Sequence, residues 1–425
     1  MLDIKFIREN PEKVKKGIEA KKTDPKLVDE FLALDGEWRE LVKKMEDFRA
    51  EQKKISDKRD VEAGKKNKEL IKEVEAKIAE VEKNRESVLL KIPNLPSDDT
   101  PIGKSEEDNK VLRTVGEPKK FDFKPKDHIE LGEALGLINS ESASKVSGAR
   151  FAYLMGDAVK LEFALVQFTL EVLTNPETIR KIAESVKPGH SDRPFIPVMP
   201  PMMIKSDILQ RMARLEPKEE RYHIPGDDLY LIGSAEHTLG PLHMDETIPE
   251  KNLPIRYAGF STSFRREAGS YGKDAKGILR LHQFDKLELE SFSTPESSID
   301  EQNFFVAIQE YLMKSLEIPY QVVSICTGDM GGPDVRQIDI EAWLPGQDRY
   351  RETHTSDLMT DYQARRLGIK VKRKDGKSEF VHMNDATAFA IGRTIIAIME
   401  NYQTKDGKIE VPKILQKYVG KEIIG

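Results

Sequence analysis

Arg265, Arg266 and Glu267 follow directly on an alternating, strand-like segment, Ile255 to Phe264. Behind them come the small and glycine-rich stretch AGSYGKDAKG and a second alternating run, LHQFDKLELESF (281–292). Two cations beside one anion, where a hairpin loop begins, suit a ligand more negative than themselves. The planar guanidinium fork matches phosphate oxygens, and a nearby carboxylate can accept from an exocyclic amine. A loop of this composition could close over a nucleotide. The common phosphate and metal signatures are absent: there is no G-x-x-x-x-G-K-[ST], no G-x-G-x-x-G at a strand–helix junction and no H-E-x-x-H.

Three further groups could do chemistry. Arg393 stands in an otherwise apolar helical pattern, so it needs either an internal ion pair or a ligand. Glu352 and Thr355 in RYRETHTSD offer the hard oxygens that Mg²⁺ requires, although the spacing alone is weak. Ser234 and Glu236 in LIGSAEHT alternate onto one side of an ending strand. They could hold an ammonium group or be an ordinary surface pair.

The elements that must position these residues fall into two regions. Apolar residues at Leu27, Phe31, Leu34, Trp38, Leu41, Met45, Phe48 and Ile55 keep an alternating four–three spacing. It resumes at Ile71, Val74, Ile78 and Val81, skips at Arg85, and returns at Val88 and Ile92. Such a seam predicts an antiparallel helical hairpin over about 26–92, with arms of about 45 Å at 1.5 Å per residue. The interruption DKRDVEAGKKNK (57–68) predicts the turn, with Gly64 available for it. Lys53, Lys54, Lys58, Arg59, Lys65, Lys66 and Lys68 give this tip a local excess of four positive charges over Asp57, Asp60 and Glu62. That is either a solvated face or a phosphate contact. Residues 93–125 read as a linker. Beyond it, strand patterns separated by short loops predict a largely antiparallel sheet. Residues 158–173 and 386–403 read as helices.

Composition sets the bounds. The 425 residues suffice for two or three domains and carry a net charge of −6, so any nucleic-acid contact must be local. No apolar run approaches the roughly 20 residues of a membrane span. The N-terminus lacks a signal-peptide layout, and the single cysteine, Cys326, excludes a disulfide framework. The chain reads as soluble and cytoplasmic.

FRREAGSYGKDAKGILRLHQFDKLE, CTGDMGGPDVRQIDIEAWLPGQDRYRE and AFAIGRTIIAIMENYQ occur in that order behind the coiled coil. Together they resemble the bacterial-type seryl-tRNA synthetases, a class II aminoacyl-tRNA synthetase family, along essentially the whole chain. The resemblance implies an α+β fold: a tRNA-binding domain (1–105) with the coiled coil, and a catalytic domain (106–425) built on an antiparallel sheet flanked by helices. It implies that ATP is bound in a bent form, with Arg265 on the α-phosphate, Glu267 on the adenine amine, Phe284 stacked on adenine and Arg393 on the γ-phosphate. Glu352 and Thr355 would hold Mg²⁺ and phosphates, Thr353 and His354 would line the same site, and Arg266 joins the ATP residues without a definite role. Serine would fall to Ser234, Ala235, Glu236, Glu288 and Thr387. The implied reaction makes seryl-adenylate and passes serine to serine tRNA, with selenocysteine tRNA as a second candidate acceptor. The hairpin, through its seven tip cations, would meet the long variable arm of the tRNA. A homodimer is implied, with its interface motif around 150–175.

The chain departs from the family pattern in four residues. His237 replaces an apolar residue beside the serine pocket, His354 and Asp357 are new polar groups near the phosphates, and Asp385 stands for the usual asparagine unless Asn384 shifts into its role. An extra carboxylate there should repel ATP unless it is paired. Two rival functions make different demands on the sequence. A non-catalytic paralogue would be expected to lose Arg265 or Arg393, and a ligase acting on a carrier protein would lack the hairpin.

Overall fold

The N-terminal heptads form two helices, Lys26–Lys58 and Val61–Leu89, in the computed structural model, which describes residues 1–268 and 277–425. Leu34, Trp38, Leu41, Met45 and Phe48 pack against Ile71, Val74, Ile78 and Val81. The turn between the arms is tighter than the interrupted spacing predicts. Arg59 takes the left-handed conformation (φ 59°), and Asp60 caps the second arm by accepting from the Ala63 N–H at 3.0 Å. Gly64 is therefore helical, and the seam continues through a polar layer instead. Asn67 donates to the Phe48 carbonyl (2.9 Å) and to Gln52 Oε1 (3.0 Å), so its amide is satisfied inside the contact.

The skip in the seam at Arg85 has a structural cause. Arg85 donates to Asp35 at 2.8 Å and lies 4.7 Å over the Trp38 ring. Asp35, fully buried on the opposite arm, also receives Arg8 in a two-pronged contact (2.6 and 2.8 Å) and has Arg39 at 3.3 Å. One carboxylate thus pins the short helix Ile4–Glu9 to both arms. Burial opposes its ionisation, but Arg8 and Arg85 hold it below the ordinary carboxylate range. A group so lowered stabilises the fold above its unfolded pKa and loses that contribution as pH falls through the folded value. Asp35→Ala is expected to cost about 1.5–3 kcal/mol, because it removes a buried carboxylate's charged hydrogen bonds and leaves Arg85, 12 % exposed, without its partner, while Arg8 and Arg39 can turn to solvent. Denaturant unfolding of the full chain, followed by Trp38 fluorescence in a Trp343→Phe background, measures it. A cost below about 1 kcal/mol would refute the hub.

The chain divides into two units, Met1–Pro96 and Ser97–Gly425. The second is built on an eight-stranded sheet. Its strands in chain order are β1 (Lys110–Val115), β2 (Ile196–Val198), β3 (Ile255–Phe264), β4 (Gln283–Ser293), β5 (Tyr320–Ser324), β6 (Arg336–Leu344), β7 (Arg349–Thr360) and β8 (His382–Ala390). Across the sheet they run β1-β5-β6-β7-β8-β4-β3-β2, all antiparallel except the β2–β3 pair. The period-two alternation sorts each strand. Leu287 and Leu289, Ile338 and Ile340, and Ala386 and Ala388 join the main core with the helices Asp157–Thr174, Ser298–Ser315 and Ile391–Asn401. The polar residues between them fall on the other face. From the covered side, Gln309 donates to the carbonyls of Thr355 and Thr387, both at 2.8 Å, and so ties β7 to β8 at the level where the polar face carries its chemistry.

Three elements differ from the sequence reading. The strand expected to carry Ser234 and Glu236 ends at Leu231, and Glu236 opens a short helix, Glu236–Leu239, so the two residues do not share a side by strand alternation. Residues 386–390 end β8, and the last long helix begins only at Ile391. A short apolar run does not distinguish a buried strand from a helix. The 93–125 stretch is not wholly linker, since Lys110–Val115 forms the sheet-edge strand on β5.

Candidate active-site cleft

The polar face of the sheet opens into a cleft of about 660 Å³, with cationic and acidic groups lining different parts of it. The cationic part is built from the end of β3, the strand β4 and the helix Ile391–Asn401. Arg265 is fixed by its backbone, which exchanges bonds with His282 (N–H to O, 3.0 Å; O to ring Nδ1, 2.9 Å). Its Nε donates to the Gly233 carbonyl at 3.1 Å, and its guanidinium lies 5.3 Å from the Phe284 ring centre. Glu267, in a left-handed turn (φ 50°), pairs with Arg280 at 3.3 Å. Arg393, in the first turn of its helix, pairs with the Glu352 carboxylate at 2.9 Å and also reaches the Glu352 carbonyl. The two readings of Arg393 are thus compatible: it has an ion-pair partner and still lines the cleft.

Glu352 and Thr355 stand on β7 beside Asp339 of β6, whose Oδ1 accepts from the Thr355 hydroxyl at 2.9 Å. Loss of hydration in the cleft works against the Glu352 carboxylate, yet Arg393 and then Arg265 hold it below its ordinary value. Asp339 is driven well above its ordinary value by burial and by the charge of Glu352. Two carboxylates that oppose each other's ionisation, with a hydroxyl beside them, are the hard-oxygen donor set a divalent cation relieves, so these residues fit Mg²⁺.

The acidic part is more enclosed. Ser234, Glu236, Glu288 and Thr387 are all at least 95 % buried and line the cleft. Glu288 and Thr387 are cross-strand partners on β4 and β8, with the hydroxyl donating to Glu288 at 3.4 Å and Lys286 at 2.5 Å from the same carboxylate. Ser234 Oγ accepts from the Glu236 N–H at 3.2 Å. Burial works to raise Glu236, but the Arg214 guanidinium beside it holds it down at about 2. His237 does not enter the cleft chemistry as a cation. Burial first, then Arg221, Arg214 and Arg265, keep it neutral well below its ordinary value, and its Nδ1 accepts from the Gly233 N–H at 3.2 Å.

The structure does not bring every expected residue to the cleft. His354 is a correction: the bulge in β6–β7 pairs it with Ile340 and turns its ring to the apolar face, 5.3 Å from Phe389. Burial leaves it neutral, down at about 3. Ala235 belongs to a hydrophobic cluster under the cleft, and Arg266 lies over Tyr222 at 5.6 Å; neither lines the cavity. Most of the expected covering loop, residues 269–276, lies outside the described residues. Asp385, expected to repel ATP unless paired, is paired with Arg214 at 3.3 Å.

Sequence reasoning missed Arg214, Arg221, Arg280, Lys286 and Asp339, all lining the cleft or bonded to residues that do. For Lys286 a signal existed, since it sits between Phe284 and Glu288 at period two. Arg214 lies on an irregular segment with no period to read.

Comparison with known proteins agrees with this geometry. Residues 1–96 match the model of the seryl-tRNA synthetase N-terminal domain, and residues 220–402 match that of the class II tRNA synthetase core domain (G, H, P, S and T). Serine–tRNA ligases of Pseudothermotoga lettingae and Thermotoga maritima are each 40 % identical, with full coverage of both chains. The seryl-tRNA synthetase of Pyrococcus horikoshii complexed with ATP superposes with a TM-score of 0.92 at 38 % identity, covering 100 % of this chain and 99 % of that one. The cytoplasmic serine–tRNA ligase of Naegleria fowleri in complex with AMP gives 0.88 at 32 %, covering 100 % and 98 %.

Proposed function

This chain belongs to the seryl-tRNA synthetase family, and on that premise we propose how its cleft activates serine with ATP and passes it to the 3′ end of serine tRNA. The carrying observation is the hydrogen bond from Arg265 Nε to the Gly233 carbonyl. It ties the phosphate-binding arginine to the segment that bears Ser234 and Glu236, so an α-phosphate on Arg265 and an amino acid on Glu236 are held side by side.

Each side chain then has a task. Phe284 offers a flat face for adenine, and Glu267, held by Arg280, accepts from its exocyclic amine. Arg265 and Arg393 receive the α- and γ-phosphates, which places the nucleotide in a bent form. Mg²⁺, held by Glu352 with Thr355 and Asp339 beside it, would neutralise charge on the phosphate oxygens. Glu236 takes the serine ammonium, and Glu288 with Thr387 meets the hydroxyl. The serine carboxylate attacks the α-phosphorus, pyrophosphate leaves, and the terminal adenosine of the tRNA then attacks the adenylate. No protein nucleophile is needed; positioning and charge neutralisation supply the rate. Alanine lacks the hydroxyl that Glu288 and Thr387 would meet and forfeits that hydrogen bond inside a buried polar pocket, so it is rejected more strongly than size alone allows. The basic hairpin tip binds the long variable arm of the tRNA by its backbone shape. The enzyme works as a homodimer through the 150–175 region, where Met155 and Phe163 are exposed apolar residues.

Amino-acid-dependent exchange of pyrophosphate into ATP, run with each of the twenty amino acids and no tRNA, tests the reading. Exchange is expected with serine, with alanine lower by about 10⁴ or more in kcat/KM. Exchange with a different amino acid alone would overturn the specificity while keeping the chemistry.

A further inference from the structure

Arg214 lies on the segment after the helix Ser206–Arg211, outside every motif named above, with 16 % of its side chain exposed. Its Nε donates to Glu236 Oε1 at 2.8 Å. Its Nη2 donates to Asp385 Oδ2 at 3.3 Å and lies 3.8 Å from Asp334 Oδ1. Asp385 is in turn the cross-strand partner of Asp357 on β7 and of Glu290 on β4, so three adjacent strands present carboxylates in one row. Gln363 Nε2 adds a second bond to Glu236 at 3.1 Å, again to Oε1. Both donors converge on one oxygen, which leaves Oε2 for a ligand.

A carboxylate that holds a substrate ammonium must be ionised and fixed in orientation. A single guanidinium provides both when its fork spans two anchors, as lysine's point charge cannot. Asp385, one of the residues where this chain departs from the family pattern, then has a place: its Oδ2 accepts from the far side of the fork and braces it, although burial and the nearby Glu236 and Asp357 carboxylates push its own pKa up. We propose that Arg214 is a positioning residue for the amino-acid subsite, setting Glu236 so that Oε2 meets the substrate ammonium, with Asp385 and Asp334 holding Arg214 in that place. This rests on the serine-activation reading above.

The test separates the two substrates in pyrophosphate exchange. Arg214→Ala is expected to raise the KM for serine by about thirtyfold or more, the scale of an unpaired buried charge, and to leave the KM for ATP within about threefold. Arg214→Lys should recover only part of the loss, and Asp385→Asn should raise the serine KM by about three- to tenfold. Unchanged serine KM in Arg214→Ala, or equal rises for serine and ATP, overturns the proposal, since a merely structural ion cluster predicts no such split. If Arg214→Ala does not fold, Arg214→Lys and Asp385→Asn carry the same split and can fail in the same way. Absence of serine-dependent exchange in the unaltered protein would refute the underlying reading instead.

Discussion

Arg265→Ala is expected to lower the rate of serine-dependent pyrophosphate exchange by about 10²–10³, or roughly 2.7–4 kcal/mol of transition-state stabilisation. The size follows from where the guanidinium is held. Its Nε is committed to the Gly233 carbonyl and its backbone to His282, so the side chain is aimed before any ligand arrives. Charge that builds on the α-phosphate during attack then meets a donor that needs no reorganisation. The loss should fall on kcat more than on the serine KM, because the interaction grows as the transition state forms. Arg265→Lys keeps the charge but not the fork, and should recover only part of the activity. Melting of both variants, compared with the unaltered protein, checks the fold. An Arg265→Ala exchange rate within tenfold of the unaltered protein would remove Arg265 from the chemistry.

How much of this can be read from the sequence depends on periodicity. The heptad seam yields both arms of the hairpin, and period two puts Glu288 on one face of β4, where it joins Phe284 and Lys286 in the cleft. The misses share a physical origin. His354 is a neighbour of Glu352 and Thr355 in the chain, but a bulge changes the facing of a strand without leaving a mark in composition. Residues 386–390 are apolar whichever element they form, and only the tertiary pairing with β4 and β7 decides for strand. Arg214 is the clearest case. It reaches Glu236, Asp334 and Asp385 across separations of 22 to 171 residues, and no local pattern encodes such convergence. Conversely, the skip at Arg85 is visible as a defect in the seam. Its meaning as one spoke of the Asp35 hub requires the fold.

The second large effect concerns the hairpin. Removing residues 30–90 is expected to abolish tRNA charging while serine-dependent exchange continues, because no residue of the cleft lies in that segment. The deletion also removes Asp35, on which Arg8 of the remaining N-terminal helix depends, so a variant that spares the hub makes the cleaner comparison. Lys53, Lys54, Lys58, Arg59, Lys65, Lys66 and Lys68 are all exposed around the Arg59–Asp60 turn, and replacing all seven with alanine leaves the buried seam untouched. Every phosphate-binding cation so removed should lower the slope of log affinity against log salt by about one. Removing several together then weakens tRNA binding by about 10² or more at moderate salt. The expected signature is a raised KM for tRNA with a shallower salt dependence, and unchanged exchange kinetics for serine and ATP. A solvated charged face would give a different result: charging and its salt dependence would both match the unaltered protein. Parallel loss of exchange and charging would instead mean that the hairpin supports the catalytic unit rather than the tRNA.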